Sequence, residues 1–396
     1  SGWQPGGFLW NDKWSRYVRN DHAISARVYV LAEFWRLYRR SGEYRPDVAE
    51  AVFRMAERYS YLLTEPSRFT YATNHGIMQN LAVCHLSLSF PTLPGADNDC
   101  RLAFGRLDEQ LSFFINDEGF VLEHSPGYQG LALMLSGRAM RYHTLMELEI
   151  PQHWLRKYES AQRVYAELRR PDGTLPAFGD TDVGSDGEGP LVAPIDAQGL
   201  ASQLEHREWS ASKQLMFAPG AGYNLWWDGL DGWPESPGLS QTAVAWSHFP
   251  GMGHKHADEM SLGFWAGGTS WWTNVGYWPY DAPGRDIAES WEGSNAPHLV
   301  GESAQSQRET RVRFHGRQDE LAVIDLERHG PERYRARRQI IRVGPSIWIA
   351  IDISTADGGG RTQIVWTTSP SVELKATSLN GEYNLTDRSS GRSLRA

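Results

Sequence analysis

Residues 251–280 read GMGHKHADEMSLGFWAGGTSWWTNVGYWPY, and this stretch decides how the rest of the chain divides. His254, His256 and Asp258 fall on alternate positions ahead of a Gly-rich, Trp-rich pair of expected strands. Alternate residues of a strand project from one face, so the three are expected to point together into one site. Upstream the apolar pattern is helical, and downstream it is that of sheet.

Working back, Ile24, Val28, Leu31, Trp35 and Tyr38 recur at steps of four and three, which predicts an amphipathic helix over 21–40. Pro46 opens a second, carried by Val48, Val52, Met55, Tyr59 and Leu62. A third follows Asn74, for which a plain N-cap role stays open beside a functional one, with Ile77, Leu81, Cys84 and Leu88 before the stop at Pro91. Leu102, Leu107, Leu111 and Phe114 mark a fourth. Ser125-Pro126 reads as cap and first turn of a fifth, and a sixth starts near Pro151 with Trp154, Tyr158, Ala161 and Leu168. Helices of this length on short connections predict antiparallel hairpins. Periodicity does not distinguish a straight bundle from a curved toroid.

Working forward, the segment DGTLPAFGDTDVGSDGEGP at 172–190 is dense in Gly, Asp and Pro, the composition of an irregular loop or inter-domain connection. Strands are expected over 242–248, 260–265, 311–314, 321–326, 335–343, 346–353, 363–367 and 371–376. Many short strands between turn signals predict an antiparallel sandwich. The reading is therefore α+β and two-domain, 1–200 helical and 201–396 sheet, with the boundary near 200–220.

Composition limits the function. The net charge of −9 argues against a general affinity for nucleic acid, although it leaves room for a locally basic groove. Two cysteines, Cys84 and Cys100, offer neither zinc spacing nor a disulfide framework. No apolar run is long enough to span a bilayer, and the start carries no secretory leader pattern; removal of one beforehand is compatible with the sequence. The 17 Trp and 16 Tyr suit either a sugar-binding cleft or an aromatic core, and composition does not choose.

Four ordered motifs carry a family resemblance: Asn74-His75-Gly76, DEGFVLEHSPGYQ at 117–129, FGDTD at 178–182 and GHKHADEMSLGFWAGG at 253–268. Together they resemble the heparinase II/III-like polysaccharide lyases, which include oligoalginate lyases. The resemblance implies an (α/α) toroid joined to an antiparallel β-sandwich with the active site between them. It also implies a periplasmic or secreted protein acting on an anionic polysaccharide, and a chain longer than this one, so that part of the toroid or sandwich is expected outside it.

The implied reaction removes the C5 proton of a uronic acid and expels the 4-O-linked sugar. The carboxylate beside C5 opposes carbanion formation and must be neutralised, the task the resemblance gives Asn74 and His75. Tyr128 matches the catalytic tyrosine. Its ordinary pKa of about 10 means that deprotonation at neutral pH needs roughly 3 to 4 kcal/mol from neighbours, with His254 and arginines as the expected source. Tyr128 would serve as base and acid in a syn elimination, or as acid with His75 as base in an anti elimination. His254 and Tyr280 complete the expected catalytic set, and Glu123, His124, Trp271 and Trp272 the substrate-binding set.

The chemistry requires no cofactor, but a structural zinc is left open. Some family members hold one at positions that correspond to His256, Asn274 and His298, where Asn replaces an anionic ligand. Two other functions stay open. An (α/α)-barrel glycoside hydrolase would need two carboxylates, for which Glu123 with Asp180 or Asp182 is available. A non-catalytic polysaccharide-binding protein would keep the fold alone. Bland roles are equally open at this point: Asp180 and Asp182 as turn residues, and His254, His256 and Asp258 as a structural network. The polymer, endo or exo action and oligomeric state are not readable.

Overall fold

The structure, a computed structural model, describes residues 20–182, 215–230, 238–246, 253–306, 309–344 and 346–396. The expected boundary and the second half of the Gly/Asp-rich loop fall largely outside them. The chain forms two compact units, one made of the chain up to Asn116 with Ala132–Glu159, the other of Asp117–Leu131 with Ser160–Ala396.

In the first unit, helix α1 spans Asp21–Tyr38, α2 Pro46–Thr64, α3 Asn74–Ser89 and α4 Ala96–Phe114. Asn20 caps α1, its side chain accepting from the His22 and Ala23 amides, and Asp21 adds charge at the positive end of the helix. Pro46 sits in the first turn of α2, where its missing N–H removes no helical bond. Helix α3 packs on α1, α2 and α4 and buries Ile77, Leu81, Val83, Cys84 and Leu86. Close approach is possible because Gly76 lies against the Thr70 carbonyl and the Gln110 side chain, where a Cβ would clash. The N-cap of α3 is Thr73, not Asn74 as the sequence allowed; Asn74 is the first helical residue. Helices α5, Pro126–Leu145, and α6, Gln152–Leu168, each with residues in both units, complete the six expected. Ser125 does open α5, but its hydroxyl pairs with Thr181 Oγ1 at 2.8 Å, and Thr181 Oγ1 accepts from the Gly127 amide at 3.1 Å.

The second unit is antiparallel sheet. Strands β1 (Leu215–Ala218), β2 (Tyr223–Asp228), β3 (Ser240–Ala245), β4 (Ser261–Ala266) and β5 (Thr269–Trp272) form one sheet in that order. Gly267 and Gly268, both at positive φ, make the tight β4–β5 turn that ordinary residues resist. Strands β7 (Glu309–Gln318), β8 (Leu321–His329), β9 (Arg335–Val343) and β10 (Ile347–Thr355) form a second sheet in the order β10-β9-β8-β7. The two sheets bury Trp226, Val244, Met260 and Leu262 against Ala322, Ile324, Leu326 and Ile340. The opposite face of the first sheet buries Leu225, Trp227, Ala243 and Trp265 with Phe120, Leu168 and Phe178. Covered on both faces, β2–β4 show little alternation, as a doubly buried sheet should. Two smaller sheets pair β6 (His298–Leu299) with β11 (Thr362–Gln363), and β12 (Val372–Ala376) with β13 (Tyr383–Asp387) and β14 (Ser393–Arg395).

The alternating isoleucines of β10 behave differently from an inward stripe. Ile347, Ile349, Ile351 and Ile353 are 40–55% exposed. The register explains it: they pair with Val343, Ile341, Gln339 and Arg337, while Ala336, Arg338, Ile340 and Arg342 of β9 take the buried side.

Candidate active site

His254–Asp258 is a turn and coil, not a strand, and His254 itself holds φ +58°. The two histidines converge all the same, because both reach the same carboxylate. His254 Nδ1 is 2.9 Å from Asp180 Oδ2 and His256 Nε2 is 2.8 Å from Asp180 Oδ1. Asp258 does not join them. Its Oδ2 accepts the Gly179 amide at 2.8 Å and its other oxygen pairs with buried Lys255. Asp258 thus braces the loop that presents Asp180.

That loop depends on Gly179. At φ +53°, a Cβ there would lie 2.5 Å from both the His124 and His254 carbonyls. The Asp180 amide then donates to the His254 carbonyl at 3.1 Å, and Thr181 Oγ1 to the Phe178 carbonyl at 2.6 Å. The result is a side chain only 1% exposed yet accepting from four groups. Beyond the histidines, Tyr280 Oη donates to Oδ2 at 3.0 Å and Arg285 Nη2 lies 2.7 Å from Oδ1 and 2.9 Å from Oδ2. Burial alone would raise the Asp180 pKa, but hydrogen bonds from His254, His256 and Arg285 outweigh it and hold the carboxyl well below its usual range. An ionised Asp180 only accepts, so the protons on His254 and His256 lie at Nδ1 and Nε2 respectively. His254 therefore turns its Nε2 away from Asp180.

Tyr128, in the first turn of α5, stacks on His254 with ring centroids 3.7 Å apart and planes 23° apart. Its phenol is raised well above its ordinary pKa, first by burial, then by its hydrogen bond to Tyr280 and the charges of Asp180 and Glu123. Neighbours therefore do not lower it as expected: burial dominates, the Tyr280 hydrogen bond and the charges of Asp180 and Glu123 act in the same direction, and the resting phenol keeps its proton. Burial also pushes Tyr280 up, to about 12.

Other expected residues separate. Glu123 and His124 are 4% and 2% exposed, with His124 at φ +56° and its carbonyl against Gly179. Trp271 is a core residue beside Phe264, Val372 and Leu385, whereas Trp272 is half-buried and packs on exposed Trp366; burial of Trp226, Trp227, Trp246 and Trp291 assigns much of the aromatic excess to the core. Asn74 and His75 belong to the first unit. Asn74 is buried, and His75 Nδ1 lies 3.3 Å from Asp21 Oδ2 with its ring edge-on to His22. The His75 hydrogen bond is the largest of the effects that lower the Asp21 pKa.

The expected zinc ligands can be tested by their unsatisfied atoms. His298 Nδ1 is 2.9 Å from the Ala296 carbonyl, which leaves Nε2 as the lone-pair nitrogen. Asn274 Nδ2 donates to Ser261 Oγ at 3.0 Å. Among the described residues, buried His298 Nε2 and Asn274 Oδ1 have no hydrogen-bond partner, a state that a cation would relieve. Two of the three expected positions thus carry an unsatisfied lone pair, while Nε2 of the third, His256, is engaged with Asp180.

Asp180 and Arg285 are the residues whose weight the sequence did not reveal. Asp180 stood in the FGDTD motif beside a glycine, a signal shared with ordinary turns; Arg285 had none.

The model described as heparinase II/III N-terminus matches residues 15–187, and that described as heparinase II/III-like, C-terminal, residues 215–395. No curated protein matches significantly. Among solved structures, heparinase III is 13% identical with a TM-score of 0.76, over 92% of this chain and 61% of that one. Heparan sulfate lyase HepC from Pedobacter heparinus is 16% identical with a TM-score of 0.68, over 99% of this chain and 62% of that one. The chain thus spans about three fifths of the length of the solved proteins it resembles. At such identity the likeness establishes the fold, an N-terminal (α/α) toroid of helical hairpins followed by an antiparallel β-sandwich. With both domain models matched in order, the chain belongs to the heparinase II/III-like family.

Proposed function

We propose that the protein is a polysaccharide lyase that cleaves a uronic-acid-containing polymer by β-elimination. The observation that carries this reading is the buried Asp180 beneath His254 and Tyr280, with Tyr128 stacked on His254 and held protonated. A protonated phenol beside an oriented imidazole suits delivery of a proton to the departing 4-oxygen as the C4–O bond breaks. The electron pair left when a base takes the C5 proton becomes the C4–C5 double bond. Tyr128 acts as that acid; in a syn course it first releases its phenolic proton to solvent as substrate binds, takes the C5 proton as phenolate and passes that proton to the 4-oxygen. In an anti course His75 is the base. Asn74 and His75 neutralise the uronate carboxylate, where charge grows in the transition state.

The hydrolase reading is less well supported. Asp180, held ionised with both oxygens engaged by four partners, could not be the general acid, and as base or nucleophile it would have to leave those partners. The solved neighbours are named for heparin and heparan sulfate, which favours a glycosaminoglycan; alginate is the second polymer to assay. The same family setting supports a periplasmic or secreted location, and among the described residues no helix is long and apolar enough to cross a membrane. A structural zinc would be held by His256, Asn274 and His298 and would brace their loops; no step of the elimination passes through it.

The test is the ultraviolet absorbance of the conjugated unsaturated product, followed on heparan sulfate, chondroitin, hyaluronan and alginate, with Tyr128→Phe in parallel. A rise that the variant abolishes supports the lyase and names the polymer. New reducing ends without absorbance would replace it with the hydrolase, and retention of polymer without cleavage would replace it with a binding protein.

A further inference from the structure

Asp180, His256 and Glu289 each bring a ligand atom within 4.8 Å of the others, the donor set of a divalent-metal site. The space between the two carboxylates is already taken. Arg285 Nη2 lies 2.7 Å from Asp180 Oδ1 and 2.5 Å from Glu289 Oε1. The guanidinium is fixed from its other side as well, where Nη1 donates to the Trp278 carbonyl at 2.6 Å. Its carbon sits 4.5 Å from the centre of the Tyr280 ring, within cation–π range, and 5.7 Å from that of Tyr277. Arg285 and Glu289 are the two ends of the short helix α7, Arg285–Glu289, so one turn of helix supplies both the cation and its second carboxylate.

The geometry points to Arg285 as a built-in cation. It occupies the place a divalent ion would take between Asp180 and Glu289, and through Asp180 it fixes the orientation of Tyr280 and His254 for the elimination. This role rests on the lyase reading above. Arg285 is thus a positioning residue, since it acts through Asp180 and the Tyr280 ring. The guanidinium spreads its contacts over two nitrogens, Nη2 toward the Asp180 and Glu289 carboxylates and Nη1 toward the Trp278 carbonyl, with its carbon over the Tyr280 ring; the single nitrogen of an ammonium cannot make all of these contacts from one place.

Two measurements test the inference. The first needs no substrate: Mn²⁺ alone is titrated calorimetrically into wild type, Arg285→Ala, and Arg285→Ala combined with Asp180→Asn. The single variant is expected to take up one more Mn²⁺ per chain than wild type, and the double variant to lose it. Equal uptake by wild type and Arg285→Ala would overturn the idea that the guanidinium holds a cation site. The second is kinetic and uses Arg285→Lys, which keeps the charge and serves if the alanine variant fails to fold. Its kcat is expected to fall about 10²-fold with KM nearly unchanged. Added guanidinium is expected to restore part of the activity of Arg285→Ala. Wild-type kcat in Arg285→Lys would overturn the positioning role. Failure of the lyase reading would remove the kinetic signal but leave the Mn²⁺ titration decisive.

Discussion

Tyr128 and His254 lie ring on ring, 3.7 Å between centroids, although they are 126 residues apart in sequence. The stack leaves the histidine's Nδ1 free to meet Asp180, so one imidazole is fixed by a ring on its face and a carboxylate at its edge. Fixed orientation of this kind removes the entropy of aligning catalytic groups when substrate arrives.

If Tyr128 delivers the proton to the leaving oxygen, Tyr128→Phe keeps the stack and loses the transfer. Its kcat should fall about 10²- to 10⁴-fold, with KM changed little. Product absorbance under saturating polymer measures this directly.

Asn74→Ala should act on kcat more than on KM, by about 10²-fold, because the charge it opposes is largest at the transition state. Equal kcat with a raised KM would assign Asn74 to ground-state binding instead.

Asp180→Asn leaves buried cationic and donor groups without their carboxylate and should destabilise the fold by about 3 kcal/mol near neutral pH. The sign with pH follows from the depressed folded-state pKa of Asp180. Its stabilisation is fully present above the unfolded value of about 4 and is lost as pH falls through the folded value. The gap between wild type and variant in urea melts should therefore be constant from pH 7 to about 5 and narrow below about 4. A gap that widens on acidification would contradict the assignment.

Gly179→Ala forces a Cβ between the His124 and His254 carbonyls, 2.5 Å from each, at φ +53°. The loop must shift, so a loss of at least about 1 kcal/mol and a marked fall in activity are expected together. A crystal structure of the variant would show Asp180 displaced from His254.

For zinc, the protein purified without chelator should contain close to one equivalent by elemental analysis, and His298→Ala should lose most of it. Absence of zinc in wild type after growth in zinc-supplemented medium would remove the ion from the account.

The helices were legible because burying one stripe of a helix demands a period near 3.6, and the residues at Ile24, Val28 and Leu31 or Ile77, Leu81 and Cys84 keep it. The strand over 335–343 was legible to the residue for the analogous reason. Strand β2 was not, because YNLWWD is buried on both faces and has no alternation to read. Among site residues, the family resemblance pointed to Tyr128, His254 and Tyr280; His254 and Tyr280 meet at Asp180, and Tyr128 stacks on His254. Trp271 misled because an aromatic residue looks the same in sequence whether it faces sugar or core.

By itself the sequence determined that helices come first and strands after them, and which four motifs carry the family, since both are local matters of period and residue order. Only the tertiary structure decided that Asp180, and not Asp258, is the carboxylate that the histidines share. Asp180 lies 74 residues before His254 and 105 before Arg285. Its role depends on a glycine turn, two carbonyl contacts and a guanidinium brought together by folding, and no spacing along the chain encodes such a meeting.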